Sequence, residues 1–142
     1  MTTAHPVEIT VTDAPSELEL GAIQIGLSSF NEADVGASDR RSLAIVVRDG
    51  GTIVAGISGY TAWGWLYVQW LWVHESRRGE GLAGRMLEAA EAEARQRGCH
   101  AAYIDTFSPV ALKAYQRQGY VAFGQLENFP MGRTRIFLQK PL

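Results

Sequence analysis

The chain has 142 residues, of which 46% are apolar and 20% are charged, and its net charge is −2. This length predicts a single domain, residues 1–142, with a sizeable core, and the slight negative charge excludes a general attraction to nucleic acid or to an anionic membrane. No stretch approaches the roughly twenty apolar residues of a membrane span, and the first residues lack the basic and apolar regions of a signal peptide, so we expect a cytoplasmic protein.

The first predicted elements are a strand and a helix. The strand is indicated by three apolar residues that alternate with polar ones: Val7, Ile9 and Val11. Ser16 and Glu19 have the spacing of a capping box, and the apolar residues after them share one helical face: Leu20, Ile23, Leu27 and Phe30. The polar residues 31–41 predict a loop or a broken second helix.

Three strand-like runs follow, over residues 42–48, 52–62 and 66–74. Asp49-Gly50-Gly51, between the first two runs, is a hairpin signal because glycine accepts positive φ. Trp63-Gly64-Trp65 then turns the chain into the third run, whose valine and aromatic content is typical of a buried strand. We therefore expect three consecutive antiparallel strands.

The rest of the chain alternates helices and strands. The predicted elements are a helix over 82–97 that ends at Gly98, a strand over 101–106, a short helix that begins at Ser108-Pro109 and stops at Gly119, and closing strands over 120–125 and 134–140. The first of these helices should make a right-handed crossover, so the strands on either side of it should be parallel neighbours in a mixed sheet. The single cysteine, Cys99, is interpreted as a buried structural residue.

A glycine-rich run, Arg77-Arg78-Gly79-Glu80-Gly81-Leu82-Ala83-Gly84, stands between the fourth predicted strand, over 66–74, and the long helix. Backbone N–H groups at a helix start have no intrahelical partner, and the helix dipole adds partial positive charge there. The two arginines have the same sign of charge. The run therefore predicts a loop that binds a phosphate group.

Other interpretations of this run are less consistent with its surroundings. Gly79, Gly81 and Gly84 satisfy the dinucleotide-binding pattern, with Asp105 at about the required interval, but five residues separate the first glycine from its strand. Antiparallel hairpins precede the run, and only 37 residues follow Asp105, too few for the rest of a doubly wound sheet. A nucleotide triphosphatase loop would need Gly-Lys-Ser/Thr, which is absent. The plain alternative is a glycine-rich helix start with solvated arginines.

Two motifs together resemble the GCN5-related N-acetyltransferase (GNAT) superfamily. The family pattern Arg/Gln-x-x-Gly-x-Gly/Ala reads here Arg78-Gly79-Glu80-Gly81-Leu82-Ala83, and the pattern Ala-x-x-x-Tyr-x-x-x-Gly-aromatic is matched from Ala111 through Tyr115 to Tyr120. The order of elements matches as well, so the resemblance covers nearly the whole chain and is greatest to small bacterial members. It implies an α/β acyl-CoA N-acyltransferase fold with a central, mixed, mostly antiparallel twisted sheet flanked by helices.

The resemblance also implies acetyl-coenzyme A as the donor, without a metal. The backbone of Leu71, Trp72 and Val73 would pair with the pantetheine arm. The pyrophosphate would bind the loop residues Arg78, Gly79, Glu80, Gly81, Leu82, Ala83 and Gly84, with the Leu82 side chain facing the core. Ser108 stands where the family often has asparagine, so it either contacts coenzyme A or only caps its helix.

Tyr115 is the catalytic residue that the resemblance implies. A positioned phenol can donate a proton to the departing thiolate, whose thiol has a pKa of about 8.5 by analogy with cysteine, although a packing role for this tyrosine is the alternative. Many family members carry a carboxylate base on the fourth strand, but Gln69 occupies that position and cannot act as a base. It could orient a water or the acceptor. The other titratable candidates are Glu32, His74, Glu75 and Glu127, and attack by an amine deprotonated before binding is equally open.

Four tryptophans lie between residues 63 and 72. Strict alternation would place Trp65, Tyr67 and Gln69 on one face of the strand and Trp70 and Trp72 on the other, unless a bulge intervenes. We expect most of these aromatic rings in the core. The loop-like segments 63–65 and 129–132 could also present aromatic side chains to a cationic or aromatic amine.

The sequence therefore predicts an N-acetyltransferase that moves an acetyl group from acetyl-coenzyme A to a primary amine in a ternary complex. A small-molecule acceptor is preferred to a protein because no charged peptide-binding tract is evident. The alternatives are a protein N-acetyltransferase and a catalytically silent acyl-coenzyme A binding or sensing module, which the missing base keeps open. The identity of the acceptor and the formation of a homodimer are left open.

Overall fold

The computed structural model describes residues 5–142 of the chain. They belong to two compact units, which divide between Ala37 and Ser38. The organisation of the whole chain as one domain stays a prediction. None of the helices formed by residues 5–142 has the length and apolar character that a membrane crossing requires.

The N-terminal unit contains one long helix, α1, over Glu17–Val35. Its start has the predicted capping box: the Ser16 hydroxyl accepts from the Glu19 N–H at 3.1 Å, and the Ser16 N–H donates to Oε1 of Glu19 at 2.9 Å. The prediction of a strand before it was wrong, because residues 5–12 form no regular secondary structure. A strand needs a neighbouring strand to complete the hydrogen bonds of its backbone N–H and C=O groups, and an alternating pattern does not provide one. The three side chains that predicted the strand are exposed: Val7, Ile9 and Val11.

The second unit, Ser38–Leu142, contains a six-stranded sheet and two helices. The strands are β1 Arg41–Asp49, β2 Thr52–Ala62, β3 Trp65–Val73, β4 Ala101–Thr106, β5 Val121–Glu127 and β6 Thr134–Pro141. The helices are α2 Leu82–Gln96 and α3 Pro109–Arg117, and a 3₁₀ turn over Glu75–Arg77 precedes α2. The strand order is β1-β2-β3-β4-β6-β5, and every neighbouring pair is antiparallel except β3 and β4.

This topology confirms the predicted mixed, mostly antiparallel sheet flanked by helices. The first three strands follow one another through tight turns, and α2 crosses over from β3 to its parallel neighbour β4. The predicted element bounds in this unit agree with the structure to within about two residues at most ends. The reason is that glycine at positive φ fixes several of the turns, including Gly50 at φ 63° and Gly98 at φ 83°.

A β-bulge in β3 changes which side chains face the core. Ser58 of β2 pairs with Trp70 while Gly59 pairs with Val68, so Gln69 is an extra residue without a partner on β2. Before the bulge the core-facing residues are Leu66 and Val68, and after it they are Leu71 and Val73. Trp70 is therefore exposed on the same face as Tyr67, which strict alternation would have placed apart.

The core lies between the sheet and α2 and α3. Helix α2 packs against β1, β2 and β3, and its buried apolar residues are Met86, Leu87, Ala90 and Ala94. Helix α3 packs against α2 and β4. Cys99 joins the same core, and its burial raises the pKa of the thiol, as expected of a structural cysteine.

One charged side chain, Glu91 of α2, is buried in this unit with 2% exposure. Its Oε1 accepts from Nζ of Lys140 at 2.6 Å, and its Oε2 accepts from the Tyr120 hydroxyl at 3.0 Å. Nζ of Lys140 also donates to the carbonyl oxygen of Gln118 at 2.7 Å. This network joins α2, the end of α3 and β6, and burial and the Glu91 charge raise the pKa of Tyr120.

Candidate active site

The sheet opens between its two parallel strands. The pairing of β3 with β4 ends at Val68↔Ile104, and Gln69 and Asp105 are the next residues on the two strands. A cavity of about 510 Å³ lies at this opening and is referred to as the cleft. Its polar lining includes Tyr67, Gln69, Asp105, Tyr115 and Arg135. Its aromatic lining includes Trp70, Phe107 and Phe129.

Beyond Val68, the strand β3 has a free backbone edge on the β4 side. Leu71, Trp72 and Val73 pair with Ile57, Gly56 and Ala55 of β2, whereas no pairing with β4 extends to them. The carbonyl oxygen of Val73 accepts from Nε of Arg78 at 3.2 Å. Apart from this carbonyl, the edge is open to a ligand that carries amide groups. The predicted pantetheine contacts of Leu71, Trp72 and Val73 stay a prediction.

The glycine-rich loop leads from the 3₁₀ turn into α2. Gly79 has φ 83° and Gly81 has φ 76° and ψ 17°, conformations that L side chains rarely adopt. No side chain caps α2, and the first backbone bond into the helix is from the Arg85 N–H to the Gly81 carbonyl at 3.2 Å. The N–H groups of residues 82–84 therefore have no acceptor inside the helix. Because a Cβ at Gly79 or Gly81 would meet no atom within 4 Å, the loop leaves room for a ligand beside it.

The two arginines before this loop differ in their partners. Arg77 pairs with Asp49 of the β1–β2 hairpin and lies 3.5 Å from Oε1 of Glu80, so its charge is largely offset. Arg78 has no carboxylate partner among residues 5–142. The expectation that both arginines favour an anion is therefore corrected: only Arg78 offers an uncompensated charge at the loop.

Three other residues predicted to contact coenzyme A have clear structural roles. Leu82 packs against the core, as expected. A Cβ on Gly84 would lie 3.4 Å from Oε1 of Gln118, so this glycine permits α2 to approach the end of α3. Ser108 caps α3, because its hydroxyl accepts from the Ala111 N–H at 3.3 Å. Its predicted contact with coenzyme A stays a prediction.

Tyr115 lies on α3 with 5% exposure and reaches the cleft from the core side. Burial, and secondly the negative charge of Asp105, raise the pKa of Tyr115 to about 12. The phenol is consequently protonated at neutral pH, as a proton donor must be. Its place in the cleft agrees with the predicted role as a proton donor, which stays a prediction.

A carboxylate that the sequence reasoning did not assign to the site also lines the cleft. Oδ1 of Asp105 accepts from Arg135 Nε at 2.8 Å and lies 2.7 Å from Nη2 of the same guanidinium, and Oδ2 accepts from the Tyr67 hydroxyl at 3.1 Å. The Asp105 side chain is only 11% exposed. A signal was present in the sequence, since an aspartate within an otherwise apolar strand is uncommon. From the sequence, Asp105 was considered only as part of a dinucleotide site.

Stacked aromatic rings hold Tyr67 in place. Its ring is stacked on Tyr103 with centroids 4.5 Å apart and meets the Tyr60 ring edge-on at 5.5 Å. Burial, and secondly the charge of Asp105, raise the pKa of the Tyr67 phenol, so that it stays protonated and donates to the carboxylate.

The candidate bases of the second unit, His74, Glu75 and Glu127, do not line the cleft. Nδ1 of His74 accepts from the Ser76 N–H at 3.1 Å in the 3₁₀ turn, where Glu75 also lies. Glu127 ends β5 opposite Thr134 of β6. Glu32 belongs to α1 in the N-terminal unit. Among residues 5–142, no group of three or more His, Cys, Asp or Glu side chains has the arrangement of a metal site.

Comparison with known proteins identifies the family. The model of the acetyltransferase (GNAT) family matches residues 11–120. The chain belongs to the GNAT family. An acetyltransferase of Agrobacterium fabrum is 45% identical over 131 residues, which cover 92% of this chain and 93% of that protein. A blasticidin-S acetyltransferase of Streptomyces morookaense is 38% identical over 65% of this chain and 68% of its own length.

A solved structure agrees with this assignment of the GNAT fold. A protein from Agrobacterium tumefaciens has a crystal structure that covers 96% of this chain and 100% of its own, with a TM-score of 0.91 and 40% identity. The predicted family and fold class are therefore confirmed, and this GNAT protein is an acetyltransferase by family.

Proposed function

We propose that this GNAT protein transfers the acetyl group of acetyl-coenzyme A to a primary amine of a small molecule, by direct attack in a ternary complex. One observation carries the proposal: the free β3 edge of Leu71 and the phenol of Tyr115 open onto the same cleft. The cleft volume, about 510 Å³, lies in the range of small-molecule sites. The Streptomyces relative, named for acetylation of blasticidin-S, supports an acceptor of this size class.

Two parts of the chain fit the two chemistries of coenzyme A. The free edge of residues 71–73 offers backbone groups to the amides of the pantetheine arm, while the N–H groups of residues 82–84 and the Arg78 charge suit the pyrophosphate. Bound acetyl-coenzyme A supplies the activated thioester. The protein contributes the position of that thioester at the opening of the sheet.

The transfer needs one bond made, one bond broken and two proton movements. The lone pair of the amine nitrogen forms the C–N bond with the acetyl carbon, and the C–S bond breaks with its electron pair going to sulfur. Tyr115 donates its proton to that sulfur, and the proton lost by the amine passes to solvent. The raised pKa of Tyr115, about 12, keeps the phenol protonated until the thiolate forms and favours uptake of a proton from solvent by the phenolate afterwards, which restores the donor.

The pH dependence follows from Gln69, which stands where many relatives carry a base. With deprotonation left to solution or water, kcat/KM should rise with pH along a limb that follows the amine pKa of each acceptor in a matched series. The Gln69→Ala variant should weaken acceptor orientation without changing the pH at which the limb lies. Single substitutions of Glu32, His74, Glu75 or Glu127 should also leave that pH unchanged. Steady-state rates between pH 6 and about pH 10 measure the limb.

A limb fixed near pH 6 to 7 for every acceptor would contradict a base-free mechanism and indicate an enzyme group. If one of these substitutions then removed the limb, that residue would be identified as the base. A silent acyl-coenzyme A module is separated by another measurement, the release of free thiol with a broad panel of amines. Tight binding of acetyl-coenzyme A without thiol release for any amine would refute the transferase proposal.

The loop assignment predicts the effect of a side chain at Gly81. Asparagine tolerates the left-handed conformation, so Gly81→Asn should fold while its side chain obstructs the approach of a pyrophosphate to the free N–H groups. Loss of one such charge-assisted bond predicts roughly a 10- to 100-fold weaker Kd for coenzyme A, measured by calorimetry.

Gly50→Asn is the matched control for this change. Gly50 also has positive φ, at 63°, and also has no atom within 4 Å of a built Cβ, but it lies in the β1–β2 hairpin. Its affinity for coenzyme A should equal that of the wild type. Equal affinity of Gly81→Asn and Gly50→Asn, with native circular dichroism spectra, would refute the phosphate-binding assignment.

A further inference from the structure

The position of Asp105 in the cleft requires an explanation beyond stability. A carboxylate offers about four acceptor positions. In Asp105 two accept hydrogen bonds, from Arg135 Nε and the Tyr67 hydroxyl, and a third is occupied by the ion-pair contact of Arg135 Nη2 with Oδ1. A largely buried ion pair is weak evidence of a stabilising role, since desolvation offsets much of the attraction. Asp105 therefore has one free acceptor position at a cleft that also contains Tyr115.

The surroundings of this position are aromatic and exposed. Trp70 and Phe107 line the same cleft with 68% and 48% exposure. Phe129 also lines it, with 44% exposure, and one face of its ring lies under the Arg135 guanidinium, whose Cζ is 4.8 Å from the ring centroid. Rings that line a cleft without being covered offer their faces to a flat or cationic group of a ligand. The bulge at Gln69 is what turns Trp70 to this side of the sheet.

We propose that Asp105 binds the amino group of the acceptor and that this amine is carried on a flat ring, which lies against Trp70, Phe107 and Phe129. The inference rests on the proposed acetyl transfer and names its acceptor class. Tyr67 and Arg135 act as positioning residues, because they fix the two carboxylate oxygens.

The ion pair with Arg135 suits a nucleophile that must lose a proton. An isolated carboxylate would hold the acceptor as an ammonium ion and oppose its deprotonation. Because Arg135 offsets part of the Asp105 charge, the carboxylate orients the nitrogen by a directed hydrogen bond and attracts its positive form less than an isolated carboxylate would. Removing the arginine should therefore have the opposite effect on ammonium binding from removing the aspartate.

The test measures binding to the enzyme–coenzyme A complex, in which no acetyl transfer can occur. Three probes are compared by calorimetry at pH 7.5: 2-phenylethylamine, its uncharged analogue 2-phenylethanol, and 2-cyclohexylethylamine, which lacks the flat ring. Asp105→Asn should weaken 2-phenylethylamine roughly 10- to 100-fold, as expected for a lost charge-assisted hydrogen bond, and 2-phenylethanol less than about 3-fold. Arg135→Gln should tighten amine binding, because it removes the cation that offsets the Asp105 charge.

Two further variants guard against loss of fold. The double variant Asp105→Asn/Arg135→Gln removes both charges of the pair, so it should bind the amine more weakly than the wild type but no more weakly than Asp105→Asn, which leaves the Arg135 cation uncompensated. Glu93→Gln removes a carboxylate that pairs with Arg97 outside the cleft, and its affinities should equal those of the wild type. In turnover, Asp105→Asn should raise the KM of the amine while the KM of acetyl-coenzyme A changes less than about 2-fold.

The ring is tested with Trp70→Leu, which should lose most of the preference for 2-phenylethylamine over 2-cyclohexylethylamine. Equal affinities of the wild type for these two amines would overturn the ring assignment. If the wild type acetylates amines and the Asp105→Asn variant binds them as tightly as the wild type does, the role of Asp105 is overturned and the proposed function stays intact. A protein that binds 2-phenylethylamine through Asp105 but acetylates no amine would support this site and refute the transferase function.

Discussion

Replacing Lys140 by methionine should lower the free energy of unfolding by about 3–5 kcal/mol, because it leaves the buried Glu91 carboxylate without its cation. Nζ of Lys140 is 2.6 Å from Oε1 of Glu91, whose side chain is 2% exposed. The methionine is similar in length and leaves no large cavity, so the change is mainly one of charge. Equilibrium denaturation in urea measures the effect.

The double variant Glu91→Gln/Lys140→Met tests whether the isolated charge is the cause. Glutamine retains an acceptor for the Tyr120 hydroxyl but carries no charge, so at least half of the lost stability should return. Glu93→Gln, at an ion pair whose carboxylate is 40% exposed, should cost no more than about 1 kcal/mol. A cost this small for Lys140→Met would contradict the account of the network.

Removing the hydroxyl of Tyr115 should lower kcat roughly 10²-fold, as is typical of one lost acid catalyst, with little change in the affinity for acetyl-coenzyme A. The wild-type rate should show no falling limb up to about pH 10, since the pKa of the phenol is raised to about 12. The same raised pKa means that folding favours the neutral phenol, so stability is present below about pH 10 and is lost as pH rises from there through 12. Rates are therefore compared below pH 10.

Tyr120→Phe is the matched control for Tyr115→Phe. Tyr120 is equally buried, three residues beyond the end of α3, and its hydroxyl binds Glu91 outside the cleft. Its variant should lose some stability and retain kcat at an assay temperature well below its Tm. If Tyr115→Phe also keeps full kcat while chemistry limits turnover, the phenol has a packing role.

Much of the second unit could be predicted because its signals are local. Gly50 permits the β1–β2 turn, Ser108 and Pro109 start α3, and the alanine-rich face of α2 identifies the helix that covers the sheet. Each depends on residues a few positions apart, so the chain order alone reveals it. The crossover rule then fixes β3 and β4 as parallel neighbours.

Predictions that needed a distant partner were less successful. The alternation at Val7, Ile9 and Val11 indicated a strand, yet strands form only where another strand completes their backbone hydrogen bonds. Arg77 could not be known to pair with Asp49, since 28 residues separate them in the chain. The bulge at Gln69 likewise depends on the register with β2, and it places the Trp70 side chain on the opposite face of the sheet from the one that strict alternation predicts.

The sequence by itself determined the family, the order of the second unit's elements and the positions of the glycine-rich loop before α2 and of Tyr115 on α3, because these are fixed by spacing along the chain. The tertiary structure decided where the cleft opens and which groups share it. Asp105, Tyr67 and Arg135 lie on β4, β3 and β6, and only the register of these three strands brings the carboxylate, hydroxyl and guanidinium within hydrogen-bond distance. Such contacts depend on strand pairing over 30 or more residues, which local sequence patterns do not encode.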